Sequence, residues 1–329
     1  MKKENTAAET VGVILLNLGG PERLADVRPF LYNLFSDRKI IRLGPWFMQK
    51  PIAWMIARRR APKSSKAYEL IGGGSPLAAL TRQQGAALEK ELGAHGRFKV
   101  VMAMRYWQPF AKEVLGDLAA RGITRIVALT LYPHYSKATT GSSLEDLYLA
   151  ASALRTPFDL AEIAEWPDQP DYIRSLAGTI TAGLKKFQGV DVQLVYSAHS
   201  LPVSFIEEGD PYLDHLCKTI SAVEALTGVR GKLCFQSRSG PVEWLGPSTP
   251  DTLHELAAQG CKRVLMVPIS FVSDHVETLY EIDIQYRELA EEMGIELQRT
   301  ESLNVMPGFI AGLTNLVLGA VREKKWLSD

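Results

Sequence analysis

The sequence is short of several features that would fix its class at once. Among 329 residues there are three cysteines, Cys217, Cys234 and Cys261, and no C-x-x-C pair. So sparse a set argues against a disulfide framework and fits a reducing compartment. No apolar run reaches the about 18–20 residues that span a bilayer. The opening MKKENTAAET lacks the apolar region of a signal peptide, so cytoplasmic residence is expected. Neither charge is in excess: Lys plus Arg and Asp plus Glu number 37 each. Nucleic acid is therefore not expected as a partner. There is no H-E-x-x-H or other tight ligand spacing, which disfavours a resident tetrahedral zinc. Phosphate-loop patterns fail as well, since NLGGP (17–21) and IGGGSP (71–76) lack both G-x-G-x-x-G and a GK[ST] ending. Their glycines serve either positive φ and close backbone approach or access of the backbone to a flat ligand.

Short apolar runs alternate with longer helix-like stretches. The runs are VGVILLNL (11–18), FKVVMAM (98–104), RIVALTLY (125–132), VQLVYSA (192–198), GKLCFQS (231–237) and RVLMVPISF (263–271). Near-continuous apolar strands separated by helices predict parallel sheets covered on both faces. Residues 82–92 and 277–292 carry the spaced apolar positions of amphipathic helices. An internal repeat aligns LAARGITRIVALTLYPHYS (118–136) without gaps on LAAQGCKRVLMVPISFVSD (256–274), and PDYIRSL (170–176) echoes PGFIAGL (307–313). The fold expected is α/β: two similar doubly wound, Rossmann-like halves, each a mainly parallel sheet flanked by helices, with a cleft between them. The halves are placed at 1–168 and 169–329, with the C-terminal helix able to pack back on the first. Ligands of such sheets bind beyond the carboxyl ends of the strands.

Three of the six histidines, His134, His199 and His275, follow strands, whereas His95 and His254 sit in polar surroundings. The stretch FVSDHVETLYEIDIQY (271–286) opens on a pattern close to a capping box, with Asp274 or Ser273 as cap and Glu277 three residues on. Capping leaves Glu281 unexplained. Four residues apart, Glu277 and Glu281 share a helix face, and with Glu288 they form an acidic stripe. The stripe is either a solvated face or a carboxylate row that carries protons or a divalent cation towards His199; imidazole and carboxylate together suit Fe(II) or Zn. WFMQKPIAWMIARRRAPK (46–63) sets Trp46, Phe47, Trp54, Met55 and Ile56 beside Arg58, Arg59, Arg60 and Lys63. This is either a core helix ending in cations or an apolar lip suited to a membrane surface or an amphiphilic anion.

Taken together, LNLGGP, ARRRAPK, YELIGGGSP, YPHYSKATTGSS, YSAHSLP, FQSRSGPVEWLGPST and FVSDHVETLYEIDIQY resemble the ferrochelatase family and run in that family's order. The resemblance implies insertion of ferrous iron into protoporphyrin IX to form haem, on the same two-half α/β architecture. It implies His199 as acceptor of a pyrrole proton or as metal ligand, and Glu277 with His275 opposite, Glu277 sharing the metal. Glu281 lies on an acidic path leading away. Asn17, Leu18, Tyr106 and Trp244 correspond to positions near the macrocycle, while Arg60, Tyr68 and Ser75 correspond to groups that hold a propionate. The stretch around Trp46 corresponds to a lip that rests on a membrane. Family members with an iron–sulfur cluster carry a cysteine where this chain has Lys137, and others near the C-terminus, where 303–329 has none. No cluster and no permanently bound cofactor are expected, and Fe(II) enters as substrate. NLGGP favours protoporphyrin IX over coproporphyrin III. The expected partners are the porphyrin, the iron, a membrane surface and neighbouring haem-pathway proteins. The rival readings are a chelatase for coproporphyrin III or another divalent metal, and a non-catalytic tetrapyrrole- or metal-binding protein on the same fold.

Overall fold

The first strand, β1 (Val11–Asn17), is buried at all seven of its positions, as a central strand covered on both faces must be. In the computed structural model, which describes residues 10–326 except 188–190, 239 and 241, β1 is followed by α1 (Val27–Ser36), α2 (Gln49–Leu70) and α3 (Leu77–Leu92). Then come β2 (Phe98–Met104), α4 (Ala111–Ala120), β3 (Arg125–Thr130), α5 (Thr140–Leu154) and β4 (Asp159–Ile163). Helix α6 (Pro170–Lys185) leads into β5 (Gln193–His199), the short α7 (Val203–Glu207), α8 (Tyr212–Thr227), β6 (Gly231–Gln236) and α9 (Thr249–Ala258). The chain ends with β7 (Arg263–Pro268), a π-helix (Glu277–Tyr286), α10 (Arg287–Glu292), β8 (Glu296–Arg299) and α11 (Pro307–Glu323).

The strands form two parallel four-stranded sheets, ordered β2-β1-β3-β4 and β6-β5-β7-β8. The second sheet repeats the order of the first, and the gap-free sequence repeat lays β3 onto β7 end for end. Helices α6 and α11, which carry the shorter echo, each begin with proline, whose missing N–H costs nothing at a helix start.

Alternation along β1 sends Val11, Val13 and Leu15 to one face and Ile14 and Leu16 to the other. The first set joins an apolar cluster continuous with Leu194 and Tyr196 of β5 and Leu265 and Val267 of β7, so one core runs through both halves. Helices α3, α6, α8 and α11 fill the layer between the sheets. Helix α11 lies against β3, β4 and α3 of the first half, while α6 lies against β7 and α8 of the second. The outer face of the first sheet is covered by α4 and α5, and that of the second by α9, the π-helix and α10.

Two expectations are corrected. Residues 277–292 are helical, but 277–286 are π-helical and only 287–292 are α-helical. Asp274 does not cap that helix through a backbone N–H; its carboxylate is held by Ser302, Asn304 and Arg299 instead.

Candidate active site

His199 is the last residue of β5, and its main chain is anchored twice. Its N–H donates to Ser270 Oγ at 2.9 Å and its carbonyl accepts from Tyr212 Oη at 3.0 Å, while Tyr212 and Ser270 bond one another at 2.6 Å. The side chain meets Glu277 with Nδ1 2.8 Å from Oε2. A carboxylate can only accept, so a neutral His199 carries its proton on Nδ1 and turns the lone pair of Nε2 outward. About a third of the side chain stays exposed (34%), against 14% for Glu277.

Burial works to lower the His199 pKa, but the charge and hydrogen bond of Glu277, with the charge of Glu281, outweigh it and hold the group above the ordinary imidazole value. Burial likewise works to raise the Glu277 pKa, yet His199 and His275 keep its carboxyl well below the usual carboxylate range. Glu281 goes the other way. Burial and the charge of Glu277 push it up to about 7, against hydrogen bonds from Ser237 and Gln236. Two carboxylates one turn apart are thus separated in proton affinity by their surroundings, a pattern that assigns different proton roles to each.

His275 donates its Nδ1–H to the Ser273 carbonyl at 3.1 Å, which points Nε2 at Glu277 Oε2, 3.8 Å away. Its ring lies against Phe271 with centroids 4.0 Å apart, and Phe271 is edge-on to His199 at 6.2 Å. Glu281 accepts from Ser237 Oγ at 2.6 Å and from Gln236 Nε2 at 3.4 Å; the same amide lies 3.3 Å from the Glu277 carbonyl. Ser237 sits at φ +64, a left-handed conformation that aims its hydroxyl at Glu281.

The first half brings its own groups to this end of the molecule. Val276, next to Glu277, packs into the cluster containing Phe30, Tyr68, Tyr106 and Leu18. Tyr68 on α2 is 5% exposed, and burial together with the charge of Glu277 raises its phenol pKa. The two glycine loops are interlocked. A Cβ on Gly74 would stand 2.2 Å from the Glu22 carbonyl oxygen, and one on Gly20 would stand 2.6 Å from Ser75 Oγ. Close backbone approach is therefore what those two glycines provide. Asn17, at the end of β1, gives its amide to Thr81 Oγ1 at 3.1 Å and accepts the Leu18 N–H at 2.8 Å. Trp244 is half-buried in a bridge to Pro202, and its Nε1 has no hydrogen-bond partner among the described residues.

His199, His275, Glu277 and Glu281 therefore converge, with Tyr68 in the field of Glu277. Tyr106 and Arg60 each have partners within the first half. The Tyr106 hydroxyl is taken by Asp37 at 2.7 Å with the ring buried, and the Arg60 guanidinium lies 5.4 Å from the Phe35 ring on the exposed side of α2. Gln236, Ser237, Ser270 and Phe271 were not singled out from the sequence. All four stand at or beyond the carboxyl ends of β6 and β7, the rule that singled out His199. Tyr212, far along the chain on α8, has no comparable signal. Helix α2 and the turn before it are not a core helix: Trp46 is 78% exposed, Phe47 61%, Met55 58% and Trp54 48%. Arg28 and Arg58 lie over the Trp54 ring at 5.3 and 5.6 Å.

The doubled sheet, with an imidazole and two carboxylates gathered at strand ends, defines a two-lobed α/β chelatase. Among solved structures, the fold is similar to SirB from Bacillus subtilis with Fe3+, at a TM-score of 0.56 and 12% identity over 97% of this chain and 100% of that one. It is also similar to the sirohydrochlorin chelatase SirB from Bacillus subtilis subspecies spizizenii in complex with cobalt, at a TM-score of 0.52 and 11% identity over 95% and 94%. The Ferrochelatase family model matches residues 10–321. The chain is 61% identical to the ferrochelatase of Desulfotalea psychrophila over 93% of its length and 96% of that protein's, and 52% identical to that of Geotalea uraniireducens over 94% and 97%. This chain belongs to the ferrochelatase family and is an enzyme, a metal chelatase.

Proposed function

We propose that this enzyme inserts Fe(II) into protoporphyrin IX to form haem, with His199 as the base. The observation that carries the reading is the 2.8 Å contact between His199 Nδ1 and Glu277, which leaves Nε2 as the available lone pair. Insertion releases two pyrrole protons for each Fe(II) taken up, so the site needs a base of near-neutral pKa and a route for protons outward. His199 Nε2 takes a proton, and Glu277, held as an anion, stabilises the imidazolium. Fe(II) arrives on the same face, held first by Glu277 and the His199 Nε2 lone pair; as it passes to the ring, that lone pair is vacated and takes up the proton. His275 steadies Glu277. Glu281, titrating near neutrality, passes protons on towards Ser237. Leu18, Asn17 and Trp244 border the ring, Tyr106 backs that wall, and Arg60, Tyr68 and Ser75 serve the propionates.

The exposed Trp46, Phe47, Trp54 and Met55 support a peripheral position on the inner face of the cell membrane, where an apolar porphyrin arrives and haem-pathway enzymes hand over their products. No helix among the described residues is long and apolar enough to cross a membrane. The test is anaerobic incubation of the protein with Fe(II) and protoporphyrin IX, followed by absorbance, beside coproporphyrin III and other divalent metals. Turnover is expected, fastest with protoporphyrin IX and Fe(II), and a folded His199→Ala protein should lose at least about a hundredfold in kcat. Stoichiometric retention of porphyrin without turnover, or near-normal activity in His199→Ala, would defeat the assignment.

A further inference from the structure

Helix α3 carries two polar residues into the interior on one face, Thr81 and Gln84, both fully buried. At a spacing of three they sit one above the other. They reach in different directions. Thr81 Oγ1 accepts the Asn17 amide at 3.1 Å and so holds the NLGGP loop at the end of β1. Two residues before the same helix, Ser75 donates its N–H to the Pro21 carbonyl at 2.7 Å, so the two glycine loops and the start of α3 form one piece. Gln84 reaches the other half: its Nε2 donates to Ser273 Oγ at 2.9 Å and to the Asn304 carbonyl at 2.8 Å.

Those two acceptors flank the acid-bearing loop. The Ser273 carbonyl accepts the His275 Nδ1–H at 3.1 Å, and Glu277 follows two residues later. The Asn304 side chain grips Asp274 from both ends, accepting its N–H at 3.0 Å and donating to its carboxylate at 2.9 Å. Asn304 sits at φ +42, an unusual conformation for a residue with a side chain. A residue that only fills space here would be served by leucine or methionine. Gln84 instead spends both amide hydrogens on the opposite half, while its Oε1 has no partner among the described residues.

We propose that Gln84 is a positioning residue: through Ser273 and Asn304 it fixes the His275–Glu277 loop at a set distance from the Asn17–Leu18 wall, with α3 as the spacer. This rests on the reading of the site given above, in which Glu277 partners the base and Asn17 and Leu18 border the ring. Gln84 touches neither porphyrin nor iron. It determines where the acids stand when the ring is seated, and displacement of a reacting group by about an ångström is enough to slow a reaction strongly.

Gln84→Leu, and Gln84→Met as a second variant of similar volume, remove both donors. Three measurements are made on purified protein: kcat for iron insertion, protoporphyrin binding (affinity and stoichiometry) by fluorescence quenching, and amide hydrogen exchange of residues 272–278. The expected result is one porphyrin bound per chain with unchanged affinity, kcat lowered about tenfold, and faster exchange confined to that loop. Thr81→Val should give the opposite split, with weaker porphyrin binding and little change in kcat. A Gln84 variant with normal kcat overturns the proposal. So does one whose binding stoichiometry falls in step with kcat, because that marks partial unfolding. Should the wild-type protein neither bind nor metallate porphyrin, the functional reading fails on its own. Exchange then decides the positioning role: unchanged protection of 272–278 in both variants overturns it.

Discussion

At the scale of single residues, the two nitrogens of His199 have different occupations. Nδ1 is committed to Glu277, and Nε2 must be bare to work, so the acid limb of the kcat/KM profile reports the loss of that lone pair. That limb should lie above the ordinary imidazole value of about 6.5. Burial alone would place it lower; Glu277 is the main influence raising it. Glu277→Gln removes this influence and leaves burial in force, so the limb should move to lower pH even as the maximum rate falls. A titration of rate against pH in which the limb stays fixed or rises would show that another group is being read. That His199, Glu277 and Glu281 stand together was legible in the sequence, from a strand end and from a helix-face spacing that capping leaves unexplained at Glu281. The tautomer was not, nor were the hydroxyls of Tyr212 and Ser270 that fix the His199 backbone, since those contacts join residues up to 71 positions apart.

Among the elements, the π-helix is the one whose form the sequence concealed. Apolar spacing over ten residues is too short a record to separate a π-helix from an α-helix. Strands β4 and β8 were missed for a different reason. They are edge strands of five and four residues, DLAEI and ELQR, and their exposed sides carry the polar residues that edges favour. β8 ends in Arg299, which bridges the loop before the π-helix and the π-helix itself. Its guanidinium takes Asp283 with Nε at 2.9 Å and Nη2 at 2.8 Å, and reaches Asp274 with Nη1 at 3.1 Å, its side chain only 9% exposed. It thus ties the residue before His275 to one within the π-helix. Arg299→Met should lower the free energy of unfolding by about 3 kcal/mol, because Asp274 loses its counter-charge while half-buried and Asp283 keeps only Arg287, 3.4 Å away. Urea denaturation at neutral pH reads this directly, and a loss under about 1 kcal/mol would mean that water replaces the arginine.

For the molecule as a whole, the duplicated architecture could be read from a gap-free alignment, because two sheets built to one order need helix–strand units of one length. The lip was legible as a composition but ambiguous in placement. Only the fold decides which apolar residues remain in water, and here they are Trp46, Phe47, Trp54 and Met55. Arginines over an indole keep that surface amphipathic. Replacing Trp46 and Phe47 together by glutamate should cut co-sedimentation with anionic vesicles at least about tenfold while leaving the unfolding midpoint within a few degrees. Equal sedimentation of variant and wild type would show that the lip faces the porphyrin alone.

Helix α11 gives the chain an unusual order of completion. It packs on β3, β4 and α3, so the inner face of the first sheet is sealed by a helix that follows the whole second sheet in the chain. Until that helix emerges, the inner surface over β3 and β4 stays wet and adhesive. Maturation of the first sheet is therefore gated by a helix from beyond the second, and a truncation that removes α11 would leave β3 and β4 unprotected.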